Sequence, residues 1–94
     1  MLLILYSPVT ITVFKAAISV YPNPVKNILH IKRLDANAKY QVRITNEKGN
    51  VFASASIDKT ASYDFNVQGL HRGIYYAAII SSSNKLVIIK FVKE

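Results

Sequence analysis

Apolar and polar positions alternate with a period of two along most of this chain. Leu29 and Ile31 alternate with His30 and Lys32, and Tyr40, Val42 and Ile44 with Gln41, Arg43 and Thr45. Tyr63, Phe65 and Val67 alternate with Asp64 and Asn66, and Val87, Ile89 and Phe91 with Ile88 and Lys90. Successive side chains of a strand point to opposite faces, so one set in each run can meet a core and the other solvent. No stretch carries a convincing 3.6-residue period, and none has the length and caps that favour a helix. The pattern predicts about seven short strands: near 11–14 or 17–21, then 27–33, 39–46, 50–57, 62–67, 73–81 and 85–92.

Turn signals separate these runs. Asn46-Glu47-Lys48-Gly49-Asn50 supplies a glycine where φ can be positive, and Leu34 to Ala38 makes a longer connection. Ser81-Ser82-Ser83-Asn84 reads as a hairpin loop before the last strand. Gln68 to Arg72 joins two strands and has room for a one-turn helix within 67–72. Consecutive strands at this spacing predict a single all-β domain, an antiparallel sandwich, with a mixed strand-and-helix fold as the main competitor.

Two runs break the alternation. Gly73 to Ile80 (GIYYAAII) and Leu86 to Ile89 (LVII) are apolar at every position. Continuous runs fit strands buried on both sides or covered by a partner. The outer face of the hairpin 73–92 then shows either a binding patch or a surface covered by residues 1–17.

Two local motifs have structural readings. In Val20-Tyr21-Pro22-Asn23-Pro24-Val25, two prolines one residue apart force a stiff, non-helical entry. Neither proline can donate to a ladder, so the segment sits at an edge or crosses between sheets. In Leu70-His71-Arg72-Gly73-Ile74-Tyr75, a turn with glycine precedes a tyrosine entering a strand, as in the tyrosine corner of Ig-like sandwiches. The ring would fill the core while the hydroxyl bonds nearby backbone.

The 94 residues suffice for one core and leave little to hold a deep catalytic cleft. The absence of cysteine excludes disulfides, thiolate metal sites and a Cys nucleophile. His30 and His71 stand alone, and Asp35, Asp58 and Asp64 lack the spacing of calcium ligands. No HExxH, GxSxG or Gly-rich phosphate loop occurs, so no catalytic, cofactor-binding or metal-ligating residue is assigned. The run Met1 to Phe14 is apolar but too short to span a bilayer, and it lacks the leading positive charge of a signal peptide. It reads as an extension or extra strand over 1–17, ahead of a domain over 18–94. The net charge is +7. Lys32, Arg43 and Lys90 all alternate outward, but no aromatic stacking motif is interleaved with them. A solvated face is favoured over a nucleic-acid surface.

Taken in order, these motifs resemble the type A C-terminal sorting domain of the type IX secretion system, found in Bacteroidetes-type bacteria. The resemblance runs over residues 18–94. It is carried by Val20 to Val25, by Asn27-Ile28-Leu29-His30-Ile31, and by Tyr40 to Gly49, with Asn46 where the family often has Asp. Leu70-His71-Arg72-Gly73-Ile74-Tyr75 and Lys90-Phe91-Val92-Lys93 complete the set. The resemblance implies an Ig-like antiparallel β-sandwich that does no chemistry itself. It also implies an upstream cargo carried through the periplasm and an outer-membrane translocon to the cell surface or medium, with secretion components and a sortase-like protease as partners. Lys85, Lys90, Phe91, Val92, Lys93 and Glu94 are then the candidate recognition residues, and Tyr21, Pro22, Asn23, Pro24, Gly49, Leu70, Gly73 and Tyr75 the structural motif.

The rival is an Ig-like or fibronectin-like accessory module binding glycan or a neighbouring domain, which would present Tyr6, Tyr21 and Tyr76 side by side. An exposed last strand would also permit weak homodimers by strand addition. The sorting reading predicts that deleting Lys90 to Glu94 from a cargo fusion abolishes secretion while the cargo still folds. Normal secretion after that deletion counts against it.

Overall fold

The computed structural model describes residues 18–94 and the backbone of Thr12–Val13. The strands are β1 (Thr12–Val13), β2 (Ser19–Tyr21), β3 (Ile28–Lys32), β4 (Lys39–Thr45), β5 (Val51–Asp58), β6 (Ser62–Asn66), β7 (Gly73–Ser81) and β8 (Lys85–Lys93). They form two sheets, ordered β1-β8-β7-β4-β5 and β2-β3-β6. The seven strands β2 to β8 pair antiparallel, and the short β1 adds to β8 in parallel. Both segments considered for the first strand are therefore strands, one in each sheet. Residues 67–72 form a turn rather than a helix, closed by the Leu70 N–H donating to the Val67 carbonyl at 3.0 Å.

The alternation in the sequence is the burial pattern of the sandwich. Leu29, Ile31, Val42, Ile44, Ala77 and Phe91 are completely buried, while Arg43 and Lys90 between them are exposed. Each fully buried large apolar side chain contributes about 1.5–3 kcal/mol relative to exposure. Aromatic contacts order one end of the core. The Phe91 ring stacks on Tyr75 with centroids 5.9 Å apart, and Phe52 meets Tyr75 edge-on at 5.6 Å.

The tyrosine corner forms as its motif predicts. Tyr75 is buried and its hydroxyl donates to the His71 carbonyl at 2.7 Å, so the ring enters the core without stranding its polar end. The turn between β4 and β5 is organised by Asn46. Its Oδ1 accepts from the N–H groups of Lys48 and Asn50 at 2.9 and 3.0 Å, and Gly49 takes the positive φ of 84°.

Replacing Phe91 with alanine is expected to cost about 3–5 kcal/mol, and Tyr75→Phe about 1 kcal/mol, both read from urea unfolding midpoints. Gly49→Ala has open space for its Cβ. Its cost, about 1 kcal/mol, is expected from the backbone alone.

Candidate functional site

The YPNP segment shapes the functional end of the molecule. After β2 the chain leaves the smaller sheet, meets the edge of β8 and returns as β3. The Asn23 Oδ1 accepts the Val92 N–H at 2.8 Å, where a neighbouring strand would otherwise supply a carbonyl. Val25 then bridges Lys93 in parallel. Its N–H donates to the Val92 carbonyl and its carbonyl accepts the Glu94 N–H, both at 2.8 Å. Pro22 and Pro24, which cannot donate, flank Asn23. The edge of the last strand is lined in part: β1 meets β8 at Lys85 and Leu86, and Asn23 to Val25 line its far end. Such cover is one means by which proteins blunt a pairing edge.

The hairpin of β7 and β8 runs in register from Gly73 opposite Lys93 to Ile80 opposite Leu86. Its inward side chains belong to the core. On its outward side Ile74, Ile88 and Val92 are 37%, 53% and 37% exposed, with half-buried Tyr76, Ala78, Ile80 and Leu86 among them. The doubly apolar runs thus serve two surfaces, one buried and one open among the described residues. Cover by residues 1–17 lies outside those residues, save that β1 extends the sheet in its own plane.

The candidate residues fall into two groups. Lys85, Lys90, Val92 and Glu94 are exposed. Phe91 is fully buried against Tyr75, so a partner meeting the folded domain cannot touch it. Lys93 is also buried, and its Nζ donates to the Glu94 carbonyl at 2.9 Å. Alternation sends Phe91 and Lys93 inward for the same reason that it sends Lys90 and Val92 outward. Among the motif residues, Tyr21, Pro22, Asn23, Pro24, Gly49 and Gly73 lie at the surface, whereas Leu70 is half-buried and Tyr75 buried.

Pairing also sets residues of β4 beside the hairpin. One row across the sheet reads Thr45, Tyr76, Lys90, and the next reads Arg43, Ala78, Ile88. Arg43 therefore flanks the apolar stripe and Lys90 stands within it, between Ile88 and Val92, while Lys32 belongs to the other sheet. Alternation shows that Arg43 points outward, but its place beside the hairpin depends on the strand order. Tyr21 and Tyr76 lie on different sheets and Tyr6 is outside the described residues, so Tyr21 and Tyr76 build no common aromatic platform. His30 is a cross-strand partner of Asp64, Nδ1 to Oδ1 2.8 Å, with the Tyr21 ring 5.3 Å away. No helix among the described residues is long and apolar enough to cross a membrane.

Asn23→Ala removes the side-chain acceptor from the Val92 N–H. Hydrogen exchange is expected to show reduced protection at Val92 and Glu94, with about 1 kcal/mol of stability lost, while the Ala77 and Ile79 amides keep theirs. Unchanged exchange at Val92 would show that the clamp does not hold the strand.

A family model described as the secretion system C-terminal sorting domain matches residues 19–94. No curated protein matches the chain.

Proposed function

The chain belongs to the secretion system C-terminal sorting domains, and from that premise we propose that the machinery reads it through the outer face of the β7–β8 hairpin. The domain is a C-terminal sorting signal for type IX secretion, and its family implies export to the cell surface or the extracellular space. The accessory-module reading finds no support in this membership.

One observation carries the reading of the face. Ile74, Ile88 and Val92 stand exposed together on the paired strands of one hairpin. Contiguous exposed apolar surface marks an interaction site. The exposed Lys90 lies among these three side chains, the exposed Glu94 follows Val92, and Lys85 begins the same strand. The domain does no chemistry in this reading. It presents a folded surface that translocon components bind after the attached cargo has reached the periplasm, and a sortase-like protease acts on the exported protein afterwards.

Deletion of Lys90 to Glu94 does not isolate recognition, because it also removes Phe91 from the core and Val92 from the Asn23 clamp. Point changes on the outer face separate the two effects, since surface substitutions usually alter stability by no more than about 0.5 kcal/mol. The chain would be fused behind a signal peptide and a fluorescent protein in a bacterium with a working type IX system. Ile88→Glu is expected to retain the fusion in the periplasm. Ile28→Glu, an equally polar change at a position 37% exposed on the other sheet, is expected to leave secretion intact. Equal secretion of both folded variants would remove the hairpin face as the recognised surface.

A further inference from the structure

We infer that the hairpin face takes an acidic, apolar segment of a secretion-machinery protein, with Arg43 binding the carboxylate and the hollow over Ala78 seating the neighbouring apolar side chain. This rests on the reading of that face as the recognised surface and names what the face recognises.

The hollow has a volume of about 220 Å³ and is lined by Gln41, Arg43, Ala78, Ile80 and Leu86. It exists because Ala78 is small. Arg43 and Ile88 rise on either side of it in the same row, and Gln41, Ile80 and Leu86 form the row beyond. An apolar floor with polar groups at the rim can seat a single side chain and fix its orientation.

The rim selects charge. Arg43 is exposed, and its cross-strand neighbours are Ser54 and Ala78, so neither is anionic. The ion pair seen among the described residues joins His30 to Asp64 on the other sheet, which leaves the Arg43 guanidinium without a carboxylate. Gln41 Oε1 accepts from the Ser56 hydroxyl at 2.9 Å, so that oxygen is engaged and the amide nitrogen offers only donors. The outward-facing carboxylate of β4, β5, β7 and β8 is Asp58, which stands opposite Lys39 at the far end of the sheet from Lys90, and the exposed Glu94 follows β8 at the opposite end. The middle of the face therefore offers donors and positive charge around an apolar seat. Its complement is a carboxylate beside an apolar side chain, and the planar fork of arginine suits a carboxylate bidentately where lysine does not.

The test uses the same secretion fusion, with circular dichroism and thermal melts confirming that each purified variant folds. Arg43→Glu is expected to lower secretion by more than about tenfold, and Arg43→Lys by a few-fold. Ala78→Leu fills the hollow without adding charge and is expected to lower secretion comparably. Lys32→Glu makes the same charge change on the other sheet and is expected to secrete like the parent. Secretion of Arg43→Glu at the level of Lys32→Glu would overturn the inference. So would normal secretion of Ala78→Leu beside a failing Arg43→Glu, since that pair of results describes a flat anionic surface such as a membrane. If Ile88→Glu still blocks export in either case, only the assignment of the partner falls. If Ile88→Glu is secreted as well, the hairpin face itself is wrong.

Discussion

The structure depends on the crossing of Asn23 to Val25 from the smaller sheet to the edge of β8. A two-layer sandwich is held mainly by its apolar interior, which resists separation of the layers but does not by itself decide where a sheet ends. Here a segment covalently continuous with β2 and β3 supplies the last hydrogen bonds of β8. Asn23 contributes a side-chain oxygen and Val25 a backbone bridge, so the end of the chain is bonded to both layers. The prolines on either side cannot donate, which limits the segment to these few bonds. Val25 is itself completely buried, so the same residue that ends the ladder also closes the core beneath it.

That arrangement assigns opposite duties to adjacent residues of β8. Phe91 and Lys93 turn inward, and Phe91 stacks on Tyr75. Lys90 and Val92 turn outward onto a surface already lined by Ile74, Tyr76 and Ile88. A short final segment can thus be indispensable to folding and also be displayed to a partner. The two contributions separate by side-chain parity rather than by position along the chain. Arg43 stands beside the hairpin's outer stripe and Lys90 within it, opposite Tyr76, which gives the apolar surface a positive sign.

Much of this was legible in the residues. Alternation in 27–33, 39–46, 62–67 and 85–92 named the strands and the buried side of each, because burial on one face of a pleated strand imposes a period of two. The Leu70-to-Tyr75 motif announced a tyrosine whose hydroxyl returns to the backbone, and the hydrogen bond to His71 is that return. The two prolines announced either an edge segment or a crossing between sheets, since a segment without donors cannot sit inside a ladder. The apolar runs of β7 and β8 announced a second apolar face, either a binding patch or a surface covered by residues 1–17.

What the chain determined by itself, then, is local: which residues extend, which side of each strand is apolar, and where the chain turns. These follow from sterics and hydrophobic periodicity within a few residues. What only the tertiary structure decided is adjacency. The order β8-β7-β4 sets Arg43 beside Ala78 and Ile88 and leaves Lys32 on the other sheet. The pairing of Asn23 with Val92 spans 69 residues. Strand order and edge cover are settled by how all the apolar faces can be buried at once, and no short stretch of sequence carries that information.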